Sequence, residues 1–336
     1  ARFERAPSLL TNHYDTRTLL AVDYQSGGGL SAQTEYLARL GRVDALRAET
    51  AMDADHSTTG KLVLYPDEAA FAGARRQMAL QRPLGSVQHA LSPTEAVAVE
   101  PALAGYAQRF AGAIHTPGEC AADCHQVCLA LERLLLARGV RFAFDTPVTR
   151  LLRSGERIVA ADTPRGAIEA DAFVVALGTG SHPLARSLGL RVPVYPLKGY
   201  SLTVDANDAP GATPRVSVTD AARKVVFARL GQRLRVAGMA ELVGENTAIP
   251  ADRIASLLAT ARDLFPDASR YEDLQPWAGL RPATPTGLPV IGRLRGGPAN
   301  LWFNTGHGAL GFTLAFGSAQ RIARQLTGSA HAGPSH

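Results

Sequence analysis

The sequence predicts a mixed α/β (α+β) protein in which an α/β unit and an antiparallel-sheet unit are interleaved along one chain. Three stretches predict it. Residues 170–178 are a continuous apolar run ending in Gly178, Thr179 and Gly180. Such a run marks a strand covered on both faces, and small residues at its carboxyl end let a ligand approach the backbone. After Pro193 the texture changes: residues 200–204, 224–229 and 233–238 are alternating or β-branched and joined by turns such as Leu230-Gly231-Gln232, the pattern of an antiparallel meander. The tail returns to α/β character, with a strand at Leu301-Trp302-Phe303-Asn304, a glycine-rich turn over 305–311, and a helix over 313–326 closed by Gly328.

The remaining elements follow in order. Residues 1–29 have no clear assignment. Gly27-Gly28-Gly29-Leu30-Ser31-Ala32 fits a loose G-x-G-x-x-A pattern, but no buried strand leads into it and no strand ending in an acidic residue follows, so it reads as a loop. Residues 35–49 read as an amphipathic helix with Tyr36, Leu40, Val43 and Leu46 on one face. Residues 61–65 are a strand, followed by a helix opening at Pro66-Asp67-Glu68. Residues 140–144 alternate as a strand and lead through Asp145-Thr146-Pro147 into 148–152 and a hairpin across Ser154-Gly155-Glu156. A helix over 251–265, ended by Pro266, turns Ile254, Leu257, Leu258 and Ala261 inward.

At 336 residues with 46% hydrophobic residues, the chain has material for about two domains and a substantial core. No apolar run nears the roughly 18 residues of a spanning helix and no leader pattern opens the sequence, so a soluble protein is expected. The net charge of +5 is scattered: lysine occurs only at Lys61, Lys198 and Lys224, and arginines are single or in short pairs such as Arg75–Arg76. Nucleic-acid binding needs basic residues gathered on one face, so none is expected, and any electrostatic attraction is to an anionic lipid surface. Cys120, Cys124 and Cys128 cannot form a disulfide framework, which fits a reducing compartment. Cys124, Val127, Cys128, Leu131 and Leu135 follow a helical stripe, so the cysteines read as core residues and no metal is expected.

Two motifs carry chemistry. In Asn304-Thr305-Gly306-His307-Gly308-Ala309-Leu310-Gly311-Phe312-Thr313 a strand passes through a glycine turn directly into a helix. That turn aims backbone N–H groups and the positive end of the helix dipole at one point, which suits an anion or a group that becomes anionic. His307 is an acid–base candidate, but a packing or hydrogen-bonding role is preferred. In residues 277–292, Arg281 stands between an apolar stretch and a proline-fixed turn. A guanidinium on a rigid backbone suits bidentate carboxylate recognition.

On these residues the chain resembles the FAD-dependent amino-acid oxidoreductases of the D-amino acid oxidase superfamily, and most closely the bacterial D-amino acid dehydrogenase small subunits. The resemblance is carried by 193–203, Gly238-Met-Ala-Glu-Leu-Val-Gly244, 277–293 and 301–313, with weaker matches at 45–50, 100–103, 146–148 and 170–178. It runs from about residue 45 to the last helix. The superfamily opens with a strand, a G-x-G-x-x-G turn and a helix that hold the FAD pyrophosphate. Nothing here supplies them, so the expectation is that an N-terminal portion is missing and that the chain as written holds FAD poorly or not at all.

The resemblance implies a D-amino acid oxidase-like fold, with an FAD-binding α/β domain over 112–190 and 286–330 and a substrate domain over 30–111 and 191–285. It implies FAD as cofactor: Val148 contacts the adenine side through its backbone, and Ala176 and Gly178 border the cofactor. Gly306, His307, Gly308, Leu310, Gly311, Phe312 and Thr313 cradle the isoalloxazine ring. Arg281 clamps the substrate carboxylate, and Tyr200 is either a phenol covering the substrate or a core residue of the sheet. The implied reaction is hydride transfer from Cα of a D-amino acid to flavin N5, giving an imino acid that water converts to a 2-oxo acid and ammonia. Electrons would pass to a respiratory acceptor, a quinone or carrier, by a cytoplasmic protein in peripheral contact with the inner face of the cytoplasmic membrane. The alternatives are a glycine- or sarcosine-type amine oxidase and a non-catalytic remnant that binds a partner.

Overall fold

The computed structural model describes Phe3–Glu4, Arg47 and residues 52–330. The glycine turn at 27–32 and, apart from helical Arg47, the helix expected over 35–49 lie outside the described residues. The chain runs β1 (Phe3–Glu4), β2 (Lys61–Tyr65), α1 (Glu68–Gln81), β3 (His89–Leu91), α2 (Pro93–Val99), β4 (Gly112–Thr116) and α3 (Cys124–Ala137). There follow β5 (Phe142–Ala143), β6 (Arg150–Ser154), β7 (Arg157–Asp162), β8 (Ile168–Glu169), β9 (Phe173–Val175) and α4 (Ser181–Arg186). The second half holds β10 (Tyr195–Asp205), β11 (Ser217–Asp220), β12 (Val225–Leu230), β13 (Arg233–Glu241), α5 (Ala251–Leu264), β14 (Gln275–Ala283), β15 (Val290–Gly292), β16 (Leu301–Thr305) and α6 (Gly311–Ala330).

The expected meander is the centre of an eight-stranded sheet of order β14-β10-β13-β12-β11-β2-β4-β3. Every pair in it is antiparallel except β11 beside β2. Alternation sends Tyr200, Leu202 and Val204 of β10 and Leu234 and Val236 of β13 to one face, where Ile254, Leu257 and Ala261 of α5 cover them. Because β4 pairs with both β2 and β3, it belongs to this sheet, across the boundary expected between residues 111 and 112.

A second sheet, β15-β16-β9, sets β16 parallel to β9, and a third, β6-β7-β8, is antiparallel. Their shared core includes Leu151, Ile158, Val175, Val192, Val194, Leu301 and Phe303. β1 pairs in parallel with β5. The apolar run 170–178 differs from expectation. Only Phe173–Val175 is strand, Val175 is buried, and Val174 on the opposite face is 41% exposed. Among the described residues, no element covers the Val174 face of β9.

Local signals fare better. Asp67 caps α1 by accepting the Ala70 N–H at 2.8 Å, leaving Pro66 one position outside the cap. The hairpin at Gly155 joins β6 to β7. The strand expected over 140–144 is reduced to Phe142–Ala143, ahead of Asp145 at φ 51°. Helix α3 matches the cysteine stripe, with Val127 buried and Leu131 packed beside it. A hydrogen bond with Cys128, then burial, pushes the Cys124 thiol well above its ordinary pKa. At the C-terminus α6 continues through Gly328 to Ala330. A single helical glycine lowers helix stability by only about 1 kcal/mol, so it need not stop the helix.

Candidate active site

Arg281 lies near the end of β14, opposite Leu197 of β10. Its guanidinium rests on Gly199, where an added Cβ would stand only 2.2–2.3 Å from Cζ and both terminal nitrogens. Nη1 donates to the Met239 carbonyl at 3.1 Å. Burial lowers its pKa from the ordinary guanidinium value, and no carboxylate among the described residues neutralises it. A buried charge without a counterion is costly and is relieved by an incoming carboxylate.

Tyr200 stands on the other face of the same strand. It is 1% exposed, belongs to the core under α5, and donates its hydroxyl to Glu241 Oε2 at 2.5 Å. Glu241 also accepts from Arg253 Nε at 2.6 Å. The Tyr200 bond first, and Arg253 second, hold the Glu241 carboxyl below its usual range. The pleat puts Gly199 and Tyr200 on opposite faces, so Tyr200 cannot cover a substrate held by Arg281 and is a core residue.

The glycine turn closes against the end of β14. Gly306 has φ 82°, and a Cβ there would stand 2.7 Å from Thr284 Cγ2. Gly308 has φ 55°, and its Cβ position has no neighbour within 4 Å, so the turn fronts open space. Leu310 N–H donates to the His307 carbonyl at 3.0 Å, and α6 starts at Gly311. Phe312 packs against Ala54, Ala122 and Val127 with Leu131, so its ring anchors α6 to α3. The Thr313 hydroxyl and Asn304 Oδ1 are buried without hydrogen-bond partners among the described residues.

A hydroxyl relay bolts this turn to the one after β9. Leu177 N–H donates to Ser181 Oγ at 3.2 Å, Ser181 Oγ to Thr305 Oγ1 at 3.0 Å, and Thr305 Oγ1 to the Gly178 carbonyl at 3.0 Å. Gly178, at φ 55°, faces Pro282, which would lie 3.8 Å from an added Cβ. The structure therefore brings Gly178 and Gly306–Gly311 to the end of β14, the strand that carries Arg281. Val148 is farther along the second core, in an apolar cleft of about 90 Å³ shared with Val174 and Leu177. Ala176 is exposed at the end of β9.

The chain matches the family described as FAD dependent oxidoreductase (DAO) over residues 10–325, reaching further toward the N-terminus than the resemblance read from about residue 45. The chain belongs to the DAO family. It is 45% identical to a protein of Ralstonia nicotianae named D-amino acid dehydrogenase 2, an alignment that covers 92% of this chain and 71% of that one. It is 42% identical to the D-amino acid dehydrogenase of Paramagnetospirillum magneticum, over 84% of this chain and 66% of that one. Among solved structures, glycine oxidase from Geobacillus kaustophilus superposes with a TM-score of 0.82 at 24% identity, covering 94% of this chain and 84% of its own. L-proline dehydrogenase from P. horikoshii gives 0.82 at 17% identity, over 92% and 82%. These last two show the shared DAO fold.

DAO proteins are FAD-dependent, and the residues present fit a flavin. Two buried polar atoms, on Asn304 and Thr313, await partners, and the bare Gly308 leaves room beside them. The first turn of α6 offers backbone N–H groups with no intrahelical acceptor. A planar ring edge with both donors and acceptors satisfies such a set.

His307, inside this turn, is neutral at physiological pH. Its Nε2 lies 2.9 Å from Ser318 Oγ, and burial drives its pKa from 6.5 down to about 4. Between those values the unfolded chain takes up a proton that folded His307 refuses, so stability rises with pH across that window. His307→Asn is expected to flatten the dependence of Tm on pH between about 4 and 6.5. An unchanged slope would contradict a buried neutral imidazole.

Reading the sequence missed Gly199, Met239, Ser181 and Ser318 as site residues. Gly199 left the clearest signal, because a glycine inside a strand often marks the close approach of another group.

Proposed function

We propose that this chain oxidises D-amino acids to 2-oxo acids and ammonia as the catalytic part of a D-amino acid dehydrogenase. The observation that carries the reading is the part-buried Arg281 guanidinium, without a carboxylate partner among the described residues, on the strand whose end the glycine turn closes against. Arg281 takes the α-carboxylate through paired N–H groups, which fixes the amino acid's orientation toward the turn. Neutral His307 adds no positive charge there, and the α6 N-terminus favours negative charge on whatever ring the turn holds. When bound, FAD accepts the electron pair and hydrogen leaving Cα. The resulting imino acid then reacts with water.

Relatives named dehydrogenases at 42–45% identity support an acceptor other than oxygen, and we assign that role to a respiratory quinone or carrier. No helix among the described residues is long and apolar enough to cross a membrane. We assign the acceptor encounter to a peripheral contact with the inner face of the cytoplasmic membrane.

The test is anaerobic mixing of the FAD-loaded protein with substrate, followed by the visible flavin absorbance. D-Alanine is expected to bleach it, and L-alanine and sarcosine are not. Bleaching by sarcosine or glycine in preference to D-alanine would move the chain to the amine oxidases. A folded chain that stays colourless with added FAD would mark a non-catalytic remnant.

A further inference from the structure

We propose that Gly199 and Met239 are positioning residues that fix which guanidinium N–H groups of Arg281 face the substrate carboxylate. The inference rests on the reading of Arg281 given above and assigns a role to two backbone positions beside it.

The register between β10 and β13 slips at one place. Lys198 pairs with Glu241 and Tyr200 with Gly238, so two steps on β10 face three on β13. The extra residue is a bulge, and within it Met239 has φ 64°, a left-handed conformation that a side chain other than glycine's rarely adopts. The Met239 side chain packs against the core under α5, and that packing holds the unusual backbone in place. The carbonyl of this same residue accepts from Arg281 Nη1.

Gly199 contributes differently. Its φ is not in the left-handed region, so backbone freedom does not explain it. What matters is the missing Cβ, whose place the guanidinium occupies. Gly199 thus provides the floor and Met239 one edge. The remaining N–H groups have no acceptor among the described residues and are left for the carboxylate.

Three variants of the FAD-loaded protein test this: Gly199→Ala, Met239→Val and Met239→Gly. For each, KM and kcat for D-alanine are measured with the inhibition constant of propionate, which keeps the carboxylate and lacks the amine. Gly199→Ala is expected to raise KM and the propionate constant together by about tenfold or more, with kcat falling by less than KM rises. A β-branched residue resists the left-handed region and glycine accepts it, so Met239→Val is expected to raise both constants several-fold more than Met239→Gly. Equal effects of valine and glycine, or a loss of kcat with both constants unmoved, would overturn the proposal. Should Gly199→Ala fail to fold, the two Met239 variants decide alone. Arg281→Met is the control: if it leaves KM and the propionate constant unmoved, the functional reading itself falls. If it raises both while Gly199→Ala and Met239→Val do not, the positioning role falls and the functional reading stands.

Discussion

Arg281→Met lowers kcat/KM for D-alanine by about two to three powers of ten, the effect expected when one partner of a buried, hydrogen-bonded charge pair is removed. Arg281→Lys recovers only part, because an ammonium cannot reproduce the planar two-point contact. The same methionine variant is expected to keep or raise the thermal midpoint, since it removes a part-buried cation that no described carboxylate neutralises. Steady-state kinetics with an artificial electron acceptor, run alongside thermal denaturation, separates the two effects. Turnover and KM both at the parent level would refute the carboxylate clamp, and a collapse in Tm would recast Arg281 as a structural residue.

Arg233→Met destabilises the fold by about 3–5 kcal/mol, the cost of leaving the buried Asp123 without its cation. Arg233 begins β13 of the large sheet, and its Nη2 meets Asp55 at 2.5 Å and Asp123 at 2.9 Å. Asp123 is wholly buried and caps α3, accepting the N–H groups of His125 and Gln126. Asp55 in turn accepts from Gln126 Nε2 at 2.8 Å. The triad therefore fastens the large sheet to α3, and α3 carries the packing of Phe312 at the start of α6. Denaturant unfolding measures the loss. A cost below about 1 kcal/mol would place this arginine with ordinary surface ion pairs. Adding Asp123→Asn to Arg233→Met is expected to restore part of the stability, because it removes one of the stranded charges.

The candidate site depends on the same kind of long-range join. Arg281, Gly199 and Met239 come from three strands, and the bolt from Ser181 through Thr305 to Gly178 spans residues more than a hundred positions apart. Each join is short and made of ordinary groups. What makes them a site is that the end of β14 and the two glycine turns meet at one place.

The sequence by itself determined whatever depends on neighbours along the chain. The meander at β10, β12 and β13, the inward stripe of α5, the cap at Asp67 and the strand–turn–helix from β16 to α6 all follow from local periodicity and turn chemistry. Arg281 and the glycine turn stood out as candidate site residues for the same reason. Only the tertiary structure decided which residues face each other. It put Tyr200 in the core, set Gly199 beneath the guanidinium, paired β2 with β11, and left one face of β9 without a described cover. The physical reason is register: the side-chain period of a strand is two, so a one-residue slip or a single bulge exchanges the faces. No local pattern records that choice, because it is fixed by packing between segments that are distant in the chain.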